Sequence, residues 1–371
     1  MIKFNDDKKL KIMQITDIQE IPNVSADTLN LLNSALDKEQ PDLVILTGDQ
    51  IKGYGITYKG KGDELYRNVT DTINRIMQPI TSRNIPFAVT FGNHDRQVGI
   101  SNEEQLKYIY SKLPNCVQSS NTYNAGTFNI PLYSSNGEDV VFNLYLFDSQ
   151  TDKRGGGYEP LQVEQLEWYR KTRERLKSEN GKYILSILFQ HIPFPEYYNI
   201  LKQTSRFSKG AVRAYRTHKN EFYVLGDSCD KNGIFLEPPS IPDINIGEFD
   251  AISEKGDVLA AFVGHDHKNN FIGKYKNIVL GFTPSAGFNE YGDGMNRGVR
   301  IIELDENNIS GFKTRVVTYA DLGFKRLNKP VKDFLFRHFP ASTDAAKILI
   351  RNIIICIIAV FLLFIILHEL Q

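Results

Sequence analysis

A layered α/β sandwich, with mixed sheets inside and helices outside, is the fold this 371-residue chain predicts. Three features point to it. Short apolar runs rich in β-branched and aromatic residues recur and close on glycine or a polar residue, as buried strands do. Amphipathic stretches of helical period lie between them. Four strand-like runs between 271 and 318 add further strands to the layered core.

The first strand is Lys11-Ile12-Met13-Gln14-Ile15-Thr16, running into Asp17-Ile18-Gln19. Residues 25–38 place Leu29, Leu32 and Leu36 on one helical face behind Ser25, a good N-cap residue. Leu43-Val44-Ile45-Leu46-Thr47 closes on Gly48-Asp49, a helix is expected over 65–83, and Phe87-Ala88-Val89-Thr90-Phe91 closes on Gly92-Asn93-His94-Asp95. Strands over 127–133 and 140–148 flank Ser134-Ser135-Asn136-Gly137-Glu138-Asp139, a hairpin signal. A helix over 162–177 precedes a strand over 183–189 that ends near His191, and the strand 258–263 closes on Gly264-His265-Asp266-His267. Strands over 271–275, 278–282, 299–304 and 312–318 complete the domain.

In α/β folds ligands bind beyond the carboxyl ends of the strands, so the polar ends of these runs are expected to converge. They hold two aspartates (Asp17, Asp49), one asparagine (Asn93), one glutamine (Gln19) and four histidines (His94, His191, His265, His267). Carboxylate, amide and imidazole without thiolate suit divalent manganese, iron or zinc. The set exceeds what one ion needs; two ions about 3.5–4 Å apart under a shared carboxylate would use it and form a clamp for phosphoester hydrolysis. Each residue alone has a plainer explanation: a strand-end aspartate caps a helix or turn, and a lone His191 is a satisfied core histidine. Independent caps and core histidines have no reason to fall in this order.

The ordered set Asp17-x-Gln19, Gly48-Asp49, Gly92-Asn93-His94-Asp95, His191 and Gly264-His265-x-His267 resembles the calcineurin-like metallophosphoesterases over roughly residues 10–318. Leu146-Phe147-Asp148-Ser149, Gln190-His191-Ile192-Pro193-Phe194-Pro195 and Tyr291-Gly292-Asp293-Gly294 are similar to the purple-acid-phosphatase-29-like and Dcr2-like group. The resemblance implies a four-layer αββα sandwich and two metal ions. It implies that Asp17 and His267 hold the first, that Asp49 bridges, and that Asn93, His191 and His265 hold the second. His94 would be the general acid, oriented by Asp95, while a metal-bridging hydroxide attacks phosphorus. A histidine has a pKa suited to donating a proton near neutral pH.

Two positions depart from the family pattern. Gln19 stands where a histidine is usual; a neutral amide oxygen is a poorer partner for zinc or iron, so the first site is expected to favour manganese or magnesium or to fill loosely. Lys52 stands where the purple subgroup has a tyrosine, so no tyrosinate–iron colour is expected.

Lys plus Arg and Asp plus Glu both total 44, so no overall field drives nucleic-acid binding, and a phosphorylated small molecule or phosphoprotein must be recognised locally. Arg297 is a candidate bidentate phosphate contact beside Asn93 and His94. Residues 196–221 carry Lys202, Arg206, Lys209, Arg213 and Arg216 among aromatics, which fits either a lid over an anionic substrate or a solvated basic helix face. Gly55-Ile56-Thr57-Tyr58-Lys59-Gly60-Lys61 imitates a phosphate loop, but Gly62 replaces the required Ser or Thr and no strand precedes it.

The three cysteines, Cys116, Cys229 and Cys356, are too scattered for a disulfide framework, and the first seven residues lack the apolar core of a secretory signal. Residues 353–367 are all apolar, and 348–367 as a helix would span about 30 Å, enough for a bilayer core. The expectation is a single-pass C-terminal transmembrane helix within 347–371, after a catalytic domain over 1–318 and a linker over 319–346; a buried or interfacial helix is the alternative. Lys325, Arg326, Lys329, Lys332, Arg337, Lys347 and Arg351 precede the stretch, which places the catalytic part on the cytoplasmic side. On chemistry three readings stand: a phosphomonoesterase, a phosphodiesterase with the same metals, or a binding module whose metal site is weakened at Gln19.

Overall fold

The computed structural model describes residues 1–118, 121–338 and 343–369. Two mixed sheets stack face to face. One runs Lys313–Thr318, Gly298–Asp305, Lys9–Ile15, Leu43–Thr47, Phe87–Thr90, with the last three strands parallel and the first two antiparallel to their neighbours. The other runs Ile2–Lys3, Thr127–Tyr133, Val140–Phe147, Ser186–Gln190, Val258–Val263, Ile278–Phe282, Ile272–Tyr275, with Thr122–Asn124 paired to Thr127–Tyr133. Its four strands from Val140–Phe147 to Ile278–Phe282 are parallel.

Strand side chains alternate between faces, and both faces of both sheets are apolar, so each sheet must be covered twice. From the first sheet Ile12, Leu43, Ile45 and Ala88 point inward against Phe128, Leu144, Leu146, Ile187, Phe189 and Phe262 of the second. The intervening Met13, Ile15, Val44, Leu46, Phe87 and Val89 point outward onto helices Ala26–Glu39 and Asp63–Thr81. On the far side Tyr145, Phe147, Leu188, Ala261 and Val263 pack under helices Val163–Asn180 and Glu248–Ser253. The four-layer αββα order follows from this period of two. The parallel strands of both sheets end at the same rim, where Asp17, Asp49, Asn93, His191 and His265 lie.

Three expectations change. Residues 196–221 form no α-helix, only short 3-10 turns at Pro195–Ile200 and Arg216–His218; Leu201–Thr204, Val212–Arg213 and Phe222–Leu225 make a small antiparallel sheet, because alternating polar and β-prone residues between turns pair more readily than they coil. The first half of the expected linker is packed on the domain: Tyr319 donates to Asp27 Oδ1 at 2.8 Å, Leu327 is buried, and a helix runs Pro330–His338. Among the described residues no helix is long and apolar enough to cross a membrane. The apolar stretch belongs to the helix Thr343–Glu369, and its side chains from Leu349 to Leu362 are exposed. The transmembrane span expected over 348–367 extends into positions whose side chains lie outside the described ones, so that expectation finds no support here.

Burial, reinforced by the neighbouring Glu196 carboxylate, pushes Glu248 up to about 8. The carboxyl holds its proton more tightly folded than unfolded, so the stability it contributes is complete below an ordinary glutamate pKa and is lost as pH rises through about 8. Glu248→Gln is therefore expected to leave Tm nearly unchanged at about pH 5 and to raise it at about pH 8.5. Equal shifts at both pH values, read by calorimetry, would exclude Glu248 as the source.

Candidate metal centre

At the strand ends the backbone takes conformations that side chains disfavour. Asp17 (φ 51), Gln19 (φ 37), Asp49 (φ 53) and His265 (φ 70) all sit in the left-handed region. Such strain costs on the order of 1–3 kcal/mol per residue and persists only where surrounding contacts over-determine it. The segments also cross at very short range. A Cβ on Gly92 would lie 2.1 Å from Asp49 Oδ1, and one on Gly264 would lie 2.0 Å from Thr16 Oγ1 and 2.5 Å from Asp17 Oδ2. Glycine in these two motifs is what lets the chain pass over the carboxylates.

Both carboxylates are buried and divide their oxygens between two tasks. Asp17 Oδ2 accepts from Thr16 Oγ1 (2.8 Å) and from the His265 amide (2.9 Å), while Oδ1 faces His267 Nε2 at 3.2 Å and His191 Nε2 at 3.8 Å. Asp49 Oδ1 accepts from the His94 amide (2.9 Å), while Oδ2 faces His191 Nε2 at 3.2 Å and accepts from Gln19 Nε2 at 2.7 Å. One oxygen of each holds a loop and the other is presented to the cavity.

Backbone carbonyls orient the imidazoles. The Thr47 carbonyl accepts from His191 Nδ1 at 3.0 Å and the Tyr291 carbonyl accepts from His267 Nδ1 at 2.8 Å. A carbonyl cannot donate, so each Nδ1 carries the proton and each Nε2 turns toward the carboxylates, the usual outer-shell arrangement of a metal-binding histidine. His265 Nδ1 lies 3.2 Å from His191 Nε2. Burial opposes charge on His191, yet Asp49 and Asp17 push it up to about 10, the same field that would favour a cation between them. Burial and the neighbouring His191 hold His265 well below the usual histidine range.

Asp17 Oδ1, Gln19 Oε1 and Asn93 Oδ1 are buried acceptors that no donor in the protein satisfies. Buried polar atoms left unpaired are rare and costly, and a cation would satisfy all three. Ligand atoms of Asp49, His191 and His265 lie within 4.8 Å of one another, as one ion requires. The residues thus fit a metal pair: Asp17, His267, Asp49 and the Gln19 amide oxygen on one side, and Asp49, Asn93, His191 and His265 on the other.

Two site expectations are corrected. Asp95 does not orient the His94 ring. Its carboxylate accepts from the amides of Asp49 (2.8 Å), Gly92 (2.8 Å), Gln50 (2.8 Å) and Ile51 (3.3 Å), clasping the two ligand loops together. A carboxylate beside so many free loop amides is drawn to them. The orienter of His94 is Gln97, whose Oε1 accepts from Nδ1 at 2.8 Å; Asp152 in turn holds Asn93 Nδ2 at 3.0 Å and Gln97 Nε2 at 2.5 Å. Arg297, expected at the substrate, is 1% exposed and donates to Ser285 Oγ (3.0 Å) and to the carbonyls of Gly287 and Glu290. The segment 285–290 is buried without a strand partner, and the guanidinium supplies its missing donors.

Sequence reasoning did not foresee the ring contacts made by three tyrosines at the rim, although Tyr291 stands in one of the family-like motifs. Tyr54 packs on His94 (centroids 4.3 Å), Tyr158 meets His265 edge-on (4.4 Å), and Tyr291 stacks on His267 (4.1 Å, 4°). Lys52 pairs with Glu290, which also accepts from Tyr54 Oη at 2.5 Å. Gln97 was within reach of prediction, three residues after His94 in a turn; nothing local marks Asp152 or Tyr54.

The model of the calcineurin-like phosphoesterase family matches residues 10–269, and the chain belongs to that family. Among curated proteins it is 27% identical over 342 residues to probable inactive purple acid phosphatase 14 of Arabidopsis thaliana, covering 81% of this chain and 77% of the relative. It is 29% identical over 352 residues to phosphatase DCR2 of Saccharomyces cerevisiae, covering 83% of this chain and 54% of the relative. Among solved structures, a dimetal phosphatase from Danio rerio aligns with a TM-score of 0.48 at 10% identity, over 84% of this chain and 99% of that one.

Removing the Asp95 carboxylate strands buried amides in two loops. Asp95→Ala is expected to lower unfolding free energy by at least about 3 kcal/mol, since each unsatisfied buried donor costs roughly 1–3 kcal/mol. Urea denaturation checks it: a variant of near wild-type stability would show that the clasp on these amides contributes nothing to the fold.

Proposed function

We propose that the chain is a metal-dependent phosphomonoesterase in which His94 protonates the leaving oxygen. The observation that carries this reading is a division among the histidines. His191, His265 and His267 are buried with a nitrogen turned to Asp17, Asp49 or one another, whereas the His94 side chain is 23% exposed at the cleft and 3.9 Å from Asp49 Oδ2. With Nδ1 engaged by Gln97, its Nε2 is the nitrogen left to exchange a proton with a leaving group. Asn93 Nδ2 lies 3.2 Å from that nitrogen and ties acid to ligand loop. Bound cations would neutralise phosphoryl charge and lower the pKa of a coordinated water. The protein's own part is to hold the carboxylates and imidazoles in place and to aim His94.

A second reading, a binding or regulatory module, is favoured by one contact: Gln19 donates to Asp49 Oδ2, where an imidazole ligand would otherwise serve. The Arabidopsis relatives named probable inactive accord with it. Turnover of an aryl phosphomonoester by the metal-reconstituted chain in detergent decides. The expected result is turnover dependent on manganese, iron or zinc, a loss of roughly 100-fold or more in His94→Ala, and a gain in Gln19→His. Metal binding without turnover of either an aryl phosphomonoester or an aryl phosphodiester would establish the module, and preference for the diester would reassign the substrate.

We propose also that the exposed apolar helix tethers the catalytic domain to a membrane with that domain on the cytoplasmic side. Fourteen consecutive exposed side chains from Leu349 to Leu362, apolar but for Arg351 and Asn352, support it, since such a surface on a soluble chain is otherwise a liability. The full chain is expected to resist alkaline extraction from membranes and the chain ending at residue 346 to be released. Release of both would end the tether proposal.

A further inference from the structure

The helix Pro330–His338 lies outside the site, yet its polar contacts gather on the loop that serves it. Lys332 Nζ donates to Asn289 Oδ1 at 2.6 Å. Arg337 Nη2 donates to the Asp293 carbonyl at 3.1 Å and lies 3.5 Å from the Asp293 carboxylate, while its Nε lies 3.6 Å from Asp333. The Arg337 carbonyl accepts from Lys268, the residue after His267, at 3.2 Å. The helix is seated close: a Cβ on Gly294 would fall 2.4 Å from Arg337 Nη2 and 2.8 Å from Asp333 Oδ2.

The loop between those two anchor points has no strand partner and does two things. Its Tyr291 holds His267 twice, by accepting from Nδ1 and by stacking on the ring. Its Glu290 holds Tyr54 against His94. Fixing Asn289 and Asp293 therefore fixes the carbonyl that sets the tautomer and direction of one ligand. Partners of this outer kind typically change metal affinity 10- to 100-fold when lost.

We infer that Lys332 and Arg337 are positioning residues for His267: the helix Pro330–His338 is a strap that clamps the 289–293 loop and thereby sets the affinity of the Asp17–His267 metal site. This rests on the two-metal reading of the centre. It gives the segment after the sandwich a task at the site that neither the ligand motifs nor the sheet order requires.

The test is calorimetric titration of the metal-free full chain in detergent with Mn²⁺ and with Zn²⁺. Two binding steps are expected, assigned by His267→Ala, which removes one, and His191→Ala, which weakens the other. In Lys332→Ala/Arg337→Ala the His267 step is expected to weaken about 10- to 100-fold with the other unchanged and the Tm of the metal-free chain near wild type. Lys332→Arg/Arg337→Lys should restore most of it, and Lys329→Ala, at the exposed residue just before the helix, should change nothing. Lys332→Ala alone should weaken the same step by less, which keeps the proposal testable if the double variant does not fold. Unchanged binding in the strap variants, or equal weakening of both steps, overturns the strap while leaving the centre intact. A wild-type chain that binds no metal overturns both.

Discussion

Two buried carboxylates govern this molecule. Asp17 and Asp49 lie at the ends of adjacent parallel strands with almost no access to water. Isolated, each would carry a desolvation penalty large enough to drive protonation or unfolding. Amides and imidazoles compensate them, and most of these groups come from other segments of the chain. His265 delivers its amide to Asp17 from the far sheet, His94 delivers its amide to Asp49 from the next strand, and His191 and His267 bring their rings. Satisfying the charge and assembling the site are therefore one process.

The same constraint explains the local backbone. To aim both oxygens of a carboxylate usefully, Asp17, Asp49 and His265 leave the strand in left-handed turns, and Gly92 and Gly264 accept the resulting close approach. Asp95 then gathers the loose amides of the Asp49 loop and of Gly92. Cross-bracing runs between the sheets as well: the Thr47 carbonyl of one orients His191 of the other. The parts of the site are thus also contacts that join the two sheets at that rim, and preorganisation of this kind is what a catalytic or binding centre needs.

This division also sets what the sequence could reveal. Strands such as Leu43–Thr47 and Val258–Val263 were legible because burial on both faces leaves an unbroken apolar run, and the ligands were legible because each directly follows such a run. Helix ends were less so: Ser25 stands at the N-cap of Ala26–Glu39, but its hydroxyl makes no capping bond, and its amide is taken by Glu20. Arg297 misled because a lone arginine beside a glycine-rich rim looks the same whether it meets phosphate or carbonyls. The basic stretch after Glu196 misled because charge says nothing of period, and its strands are only two to four residues long. Asp152 and Tyr54 act through tertiary contacts with no local signature.

Gln19 shows most clearly how the charge constraint reaches chemistry. An imidazole there would offer the cavity a single lone pair, whereas a primary amide has a donor end and an acceptor end related by a half-turn. With Nε2 on Asp49 Oδ2 the amide neutralises part of the carboxylate's demand and leaves its own oxygen buried without a donor. The reverse orientation would set two oxygens against each other, which is tolerable only with a cation between them. A glutamine at this position gives Asp49 a neutral donor on its cavity-facing oxygen in the absence of metal. A cation at that oxygen must share it with, or displace, the Gln19 donor, which ties metal binding on this side of the centre to that one amide.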